Sequence, residues 1–192
     1  MTREEAYKIL TKYLKNPNLI KHCLACEAVM KALYKRLNSE EKSSFAKASE
    51  ENWGITGLLH DADYELSKGH PEKHGLLLFE IEKNIPDDIA HAIKSHNYEN
   101  TKVSPENLMD WGITCTDQLT GLIVACALVH PDKKLASLSP HFILKRMKEK
   151  SFAKGADRKP IFMCEEKLGI PLEEFVELNL KAMQSISKEL GL

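Results

Sequence analysis

Residues 114–129 read TCTDQLTGLIVACALV. With Trp111 and Ile113 just before them and Leu119, Leu122, Ile123, Val124 and Leu128 among them, they are apolar around most of a helical circumference from Leu119 onward. That pattern belongs to a helix buried at the centre of a helical protein. Asp117 stands inside it. A lone ionised carboxylate is strongly disfavoured there, so something positive has to meet it.

Helical periodicity continues outward, with no convincing alternating strand. Thr2 and Glu5 form a capping box for a helix to about Lys15; Asn16-Pro17-Asn18 turns the chain, and Asn18 caps a helix from Leu19 to about Leu37. A third helix begins at Ser39 or Glu40, runs through Phe45 and Trp53, and breaks near Gly54 and Gly57, leaving a short segment from Ile55 to His60. Proline suits the first helical turn. Pro71 therefore predicts a helix over 72–83 and Pro86 one ending near His96, while Pro105, Pro140, Pro160 and Pro171 open helices reaching Val129, Lys150, Leu168 and Leu190. The short connections predict an all-α, single-domain orthogonal helical array over residues 1–192.

A chain of 192 residues that is 43% hydrophobic suffices for one domain with a substantial core. Its start, MTREEAYKIL, lacks the regions of a secretory signal, and LIVACALV falls far short of the roughly 20 apolar residues that span a bilayer. A soluble, cytoplasmic protein with no membrane partner is expected. Five cysteines fit reduced thiols; Cys23 and Cys26 make a CxxC in mid-helix, with no second CxxC and no preceding strand, and read as buried packing. The net charge of −1 hides a basic segment between Pro131 and Pro160, with nine Lys or Arg residues against Asp132, Glu149 and Asp157. It is short and poor in aromatics, which suits phosphate on a small ligand better than a nucleic-acid groove. A solvated helix face is the plainer account of most of it.

The eight histidines sort by face. His22 shares a side with Ala25, Cys26 and Val29; His74 with Leu77, Leu78 and Ile81; His96 with Ile89, Ala92 and Ile93. His91, five residues before His96, lies about 140° away around the axis and flanks that stripe. His70, His130 and His141 suit caps and turns. A single inward histidine is usually a hydrogen-bonded core residue. Here His22, His60, His74 and His96 all point inward with Asp61 and Asp117, from five segments. Imidazole nitrogen with carboxylate oxygen is a donor mixture for Zn²⁺, Mn²⁺, Fe²⁺ or Ni²⁺.

The order His22, then His60-Asp61, then Asp117, on helices throughout, resembles the HD superfamily of metal-dependent phosphohydrolases over roughly residues 19–130. The stretches LIKHCLACEAVMKAL, GLLHDADYE and TCTDQLTGLIVACALVHPDKKL extend a likeness to one subgroup of HD hydrolases over most of the chain. The resemblance implies one divalent ion (Mn, Fe, Ni, Co or Zn) on His22, His60, Asp61 and Asp117. It also implies a second ion on His74 and His96, with Asp61 bridging. Many two-metal relatives follow the HD pair with Ile-Gly-Lys; this chain has Ala62-Asp63-Tyr64-Glu65 instead, without that lysine.

The activity so implied is hydrolysis of a phosphomonoester or phosphodiester on a small phosphorylated metabolite or nucleotide, with His60 and Asp61 at the reacting centre. Asp63 and Glu65 are candidates for a proton shuttle or an orienting group, against a helix-terminal role or simple exposure for each. Lys150, Lys154 and Arg158, around the turn at Gly155, are candidates to hold the substrate phosphate. A di-iron oxygenase, which shares the six-ligand order, and a nucleotide-binding regulatory module are the competing readings.

Overall fold

A computed structural model describes residues 1–39 and 48–192. Among these residues the protein is all-helical, with twelve α-helices, two 3₁₀ turns and no strand. The expected helix start at Glu40 and its course through Phe45 lie outside the described residues.

The first helix, α1 (Arg3–Tyr13), carries the expected capping box of Thr2 and Glu5. α2 (Pro17–Asn38) is capped by Asn16 rather than Asn18: the Asn16 side chain accepts from Asn18 N, and Pro17, which has no N–H to satisfy, fills the first helical position. Ser39 closes α2, and Ser49 caps α3 (Glu50–Leu59). Contrary to expectation, α3 runs unbroken through Gly54 and Gly57. Both glycines are packing sites: a Cβ on Gly57 would stand 2.5 Å from the Cys26 carbonyl oxygen and 2.7 Å from Glu27 N. Gly57 thus lets the backbones of α2 and α3 touch, and fixes where α3 ends in His60.

The helix expected over 72–83 is broken. A 3₁₀ turn (Pro71–Lys73) leads through Gly75, at φ +85°, to the short α4 (Leu77–Ile81). Gly75 adopts the left-handed conformation that only glycine takes without penalty, which ends the helical run. Ile81 is exposed, so the apolar stripe assigned to His74 does not form. α5 (Asp87–His96) and the one-turn α6 (Tyr98–Thr101) follow. α7 (Leu108–Val129) starts three residues later than Pro105 predicts, because Asn107 caps it through Met109 N and Asp110 N. The C-terminal part is α8 (Pro140–Met147), α9 (Arg158–Phe162), α10 (Cys164–Leu168), α11 (Leu172–Ser185) and α12 (Ser187–Leu190).

α7 is the central element, packing against α2, α3, α5, α8, α9, α10 and α11. By length and composition it could cross a membrane, but 61% of its most apolar window is buried within the protein. The apolar interior forms two clusters. One gathers α2 and α7 with the C-terminal helices around Ile113, Leu122 and Phe175; the other gathers α1, α3 and α5 around Leu10, Leu58 and Ile89. Leu24 packs against both. The inward polar residues sit where these two clusters meet.

Gly57→Ala places a methyl group against α2 backbone that cannot swing aside, and is expected to cost about 3 kcal/mol in denaturant unfolding. Gly121→Ala, whose Cβ would meet nothing within 4 Å, is expected to leave stability unchanged or raise it by roughly 0.5–1 kcal/mol, as for Gly to Ala inside a helix.

Candidate metal centre

Five segments deliver the six residues. His22 projects from the second turn of α2, His60 caps the end of α3 with Asp61 next to it, His74 follows the 3₁₀ turn, His96 is the last residue of α5, and Asp117 sits midway along α7. They converge. His22 Nε2 lies 3.0 Å from Asp117 Oδ1, 3.2 Å from His60 Nε2 and 3.6 Å from Asp61 Oδ2. His60 Nε2 is 3.6 Å from Asp117 Oδ1 and 3.5 Å from Asp61 Oδ1. On the other side of Asp61, its Oδ1 is 3.0 Å from His74 Nε2 and 3.9 Å from His96 Nε2, and those two nitrogens are 3.1 Å apart. The donors thus form two groups with Asp61 between them. His91 stays outside: its Nδ1 meets Asp110 Oδ2 at 2.9 Å.

The hydrogen bonds behind the rings fix what the inner nitrogens can be. His60 Nδ1 donates to the Gly57 carbonyl at 2.8 Å and His96 Nδ1 to the Ile93 carbonyl at 2.5 Å; carbonyls only accept, so both Nδ1 atoms carry hydrogen. His74 Nδ1 donates to Asp63 Oδ1 at 2.9 Å. The Thr120 hydroxyl gives its one hydrogen to the Asp117 carbonyl at 2.8 Å, so it accepts from His22 Nδ1 at 3.2 Å. When neutral, all four rings therefore turn an Nε2 lone pair inward, and these face each other in two pairs. Lone pairs cannot hydrogen-bond to one another; a proton or a cation has to lie between them. Outer partners of this kind are what hold metal-ligating imidazoles in tautomer and orientation.

Protons can take that place. Burial opposes charge on His60 and His74, but Asp61 above all, with Asp117 beside His60 and Asp63 beside His74, outweighs it: His60 is raised to about 9 and His74 to about 10. His22 is raised well above its ordinary 6.5, with burial opposing and Cys26 and Asp117 prevailing. Burial and the positive His74 and His60 push His96 down to about 4. Burial works against ionisation of Asp61 and Asp117, yet the histidines around them hold both below the usual carboxylate range.

The other expected site residues separate. Asp63 is buried and accepts from Gly75 N and Leu78 N as well as His74, so it orients His74 and folds the following turn. Glu65 is not brought to the cluster: it is exposed and accepts from Lys15 N at the end of α1. A cavity of about 340 Å³ opens on His22 and Asp117, walled by Gln118, Gly121, Ala153, Gly155 and Ala156. Lys154 is exposed on that rim, between two wall residues; Lys150 is exposed further back. Arg158 donates to the carbonyls of Phe152, Ala153 and Ala156, so it ties the rim loop together and is not a free phosphate clamp.

Three contributors escaped the sequence reading. Thr120 supports His22 from α7, three residues after Asp117. Gln118 donates to Asp117 Oδ2 at 2.7 Å and accepts from Asp157 N at 2.8 Å, joining a cluster carboxylate to the rim loop. Cys26, read as packing, has its sulfur grouped with His22 and His60. Its signal was present: it stands four residues after His22 on one helical face.

The residues His22, Cys26 and His60, and separately Asp61, His74 and His96, have their donor atoms close enough to hold a metal ion. Comparison with family models, with curated proteins and with solved structures found no match.

Without metal, the raised histidines stabilise the fold fully below about pH 6.5 and lose that contribution as pH climbs through about 9 and 10. The depressed carboxylates stabilise it above the ordinary carboxylate range and lose this in acid. Chelator-treated protein is therefore expected to be most stable near pH 6.5 and to weaken toward pH 10 in thermal unfolding. Metal loading at pH 7 should release protons, read by calorimetry in buffers of different ionisation enthalpy.

Proposed function

We propose that the protein is a metal-dependent phosphohydrolase of the HD type, acting on a small phosphorylated metabolite or nucleotide. The observation that carries this reading is the pair of donor groups meeting at Asp61, with a cavity opening beside them. The geometry suits two divalent ions, for which Asp61 has one oxygen toward His22 and the other toward His74. Ions held there supply Lewis acidity and an acidified water.

The chain's own residues do the remaining work. Gly57, Ile93, Asp63 and Thr120 lock the imidazoles, so that little reorganisation is left for the reaction itself. The cavity, walled largely by glycine and alanine, has room for a compact ester. Lys154 on its rim draws the phosphate toward His22 and Asp117. Arg158 and Gln118 hold the rim loop in place. A di-iron oxygenase is the second reading, favoured by the same histidine-rich set sharing one carboxylate. The exposed Lys154, between two residues of the cavity wall, favours the phosphate reading.

The decisive assay reconstitutes stripped protein with Mn²⁺, Fe²⁺, Co²⁺, Ni²⁺ or Zn²⁺ and screens phosphomonoesters and phosphodiesters. Turnover is expected with at least one ion. Asp61→Ala should abolish both bound metal and turnover, and His91→Ala should spare both. Lys154→Ala should raise KM roughly 10-fold or more, the loss of one charge-assisted hydrogen bond. No hydrolysis with any ion, together with oxygen consumption by the iron form, would favour the oxygenase instead.

A further inference from the structure

We infer that Cys26 is a sulfur ligand of the first donor group, so that the two metal positions differ in softness: His22, His60, Cys26 and carboxylate oxygen at one, and only nitrogen and oxygen from His74, His96 and Asp61 at the other. The inference rests on the metal-centre reading and goes beyond it by assigning a ligand and a metal class to each position.

Cys26 is fully buried, and its sulfur lies 3.9 Å from His22 Nε2. The donor atoms of His22, Cys26 and His60 are all within 4.8 Å of one another. Residues four apart share a helix face, and that spacing is the one by which a single helix gives two ligands to one ion. Of the five cysteines, all buried, Cys26 alone has its sulfur in such a group among the described residues. The Thr120 hydroxyl uses its hydrogen on the Asp117 carbonyl, so at 3.4 Å the Cys26 thiol is the donor to Thr120. One hydroxyl thus accepts from both the His22 ring and the Cys26 thiol and tethers the two to α7.

On binding, the S–H bond breaks, the proton leaves to water, and the sulfur lone pair forms the bond to the ion; nothing is oxidised or reduced. Thiolate favours zinc, iron or cobalt over manganese, and the second group, without sulfur, discriminates against manganese less strongly.

The test titrates chelator-treated full-length protein with Co²⁺ alone. A sulfur-to-cobalt charge-transfer band should grow, be lost in Cys26→Ser and persist in Cys23→Ser, and Cys26→Ser should weaken zinc binding about 10-fold or more. X-ray absorption of the zinc-loaded wild type needs no variant, and should show a sulfur shell at about 2.3 Å amounting to one sulfur per chain, half a sulfur per zinc when both positions are filled. Cobalt bound with visible d–d bands but no charge-transfer band, a band that survives in Cys26→Ser, or zinc with only nitrogen and oxygen neighbours would overturn the assignment while leaving the centre standing. Failure to bind cobalt or zinc at all would overturn the centre, and the sulfur ligand with it.

Discussion

Two pairs of imidazole nitrogens, His22 with His60 and His74 with His96, face each other at hydrogen-bonding distance with their outer nitrogens already committed as donors. That arrangement is unfavourable unless positive charge lies between the members of each pair. Asp61 and Asp117, pressed against the same nitrogens, are unfavourable for the opposite reason. Each set of groups is tolerable only with the other present, and a shared cation satisfies both at once. The fold around them is arranged to keep these groups from relaxing apart.

It does so by placing the centre at the seam of two apolar clusters. Gly57 brings α3 against the backbone of α2 at Cys26, and the end of α3 then sets His60 and Asp61 opposite His22. α7 presents Asp117 from the middle of its buried length, with Thr120 supporting His22 from the next turn. Asp63 ties the turn after the 3₁₀ segment to the end of α3, which brings His74 in although its own stretch is not a continuous helix. The rim loop is the one wall built from irregular backbone. Arg158 holds it by its carbonyls, and Ala153 within it adopts a left-handed φ of +43°.

The helical class and the inward faces of His22, His96 and Asp117 were legible because each rests on local periodicity or on the plain misfit of a carboxylate in an apolar segment. His96 over His91 followed from helix geometry alone, and the structure pairs His91 with the buried Asp110 instead. His74 was placed inward by a stripe that does not exist; Gly75 breaks that helix, and Asp63, eleven residues earlier, does the positioning. Gly54 and Gly57 looked like breakers because composition cannot tell a turn glycine from one that lets two helices touch. Thr120 and Gln118 depend on neighbours from other segments, whereas Cys26 shares a helix face with His22 and was set aside as packing. Arg158 was misread for the same reason: its charge is visible in sequence, but the carbonyls that engage it are not.

Anomalous diffraction from crystals grown with zinc or manganese, recorded at the absorption edge of the ion, tests the shared cation most directly. The expected result is a peak enclosed by His22, His60, Asp61 and Asp117, and a second beside His74 and His96 with Asp61 between the two. No anomalous density at either place, with Asp61 and Asp117 paired only to protonated histidines, would contradict it.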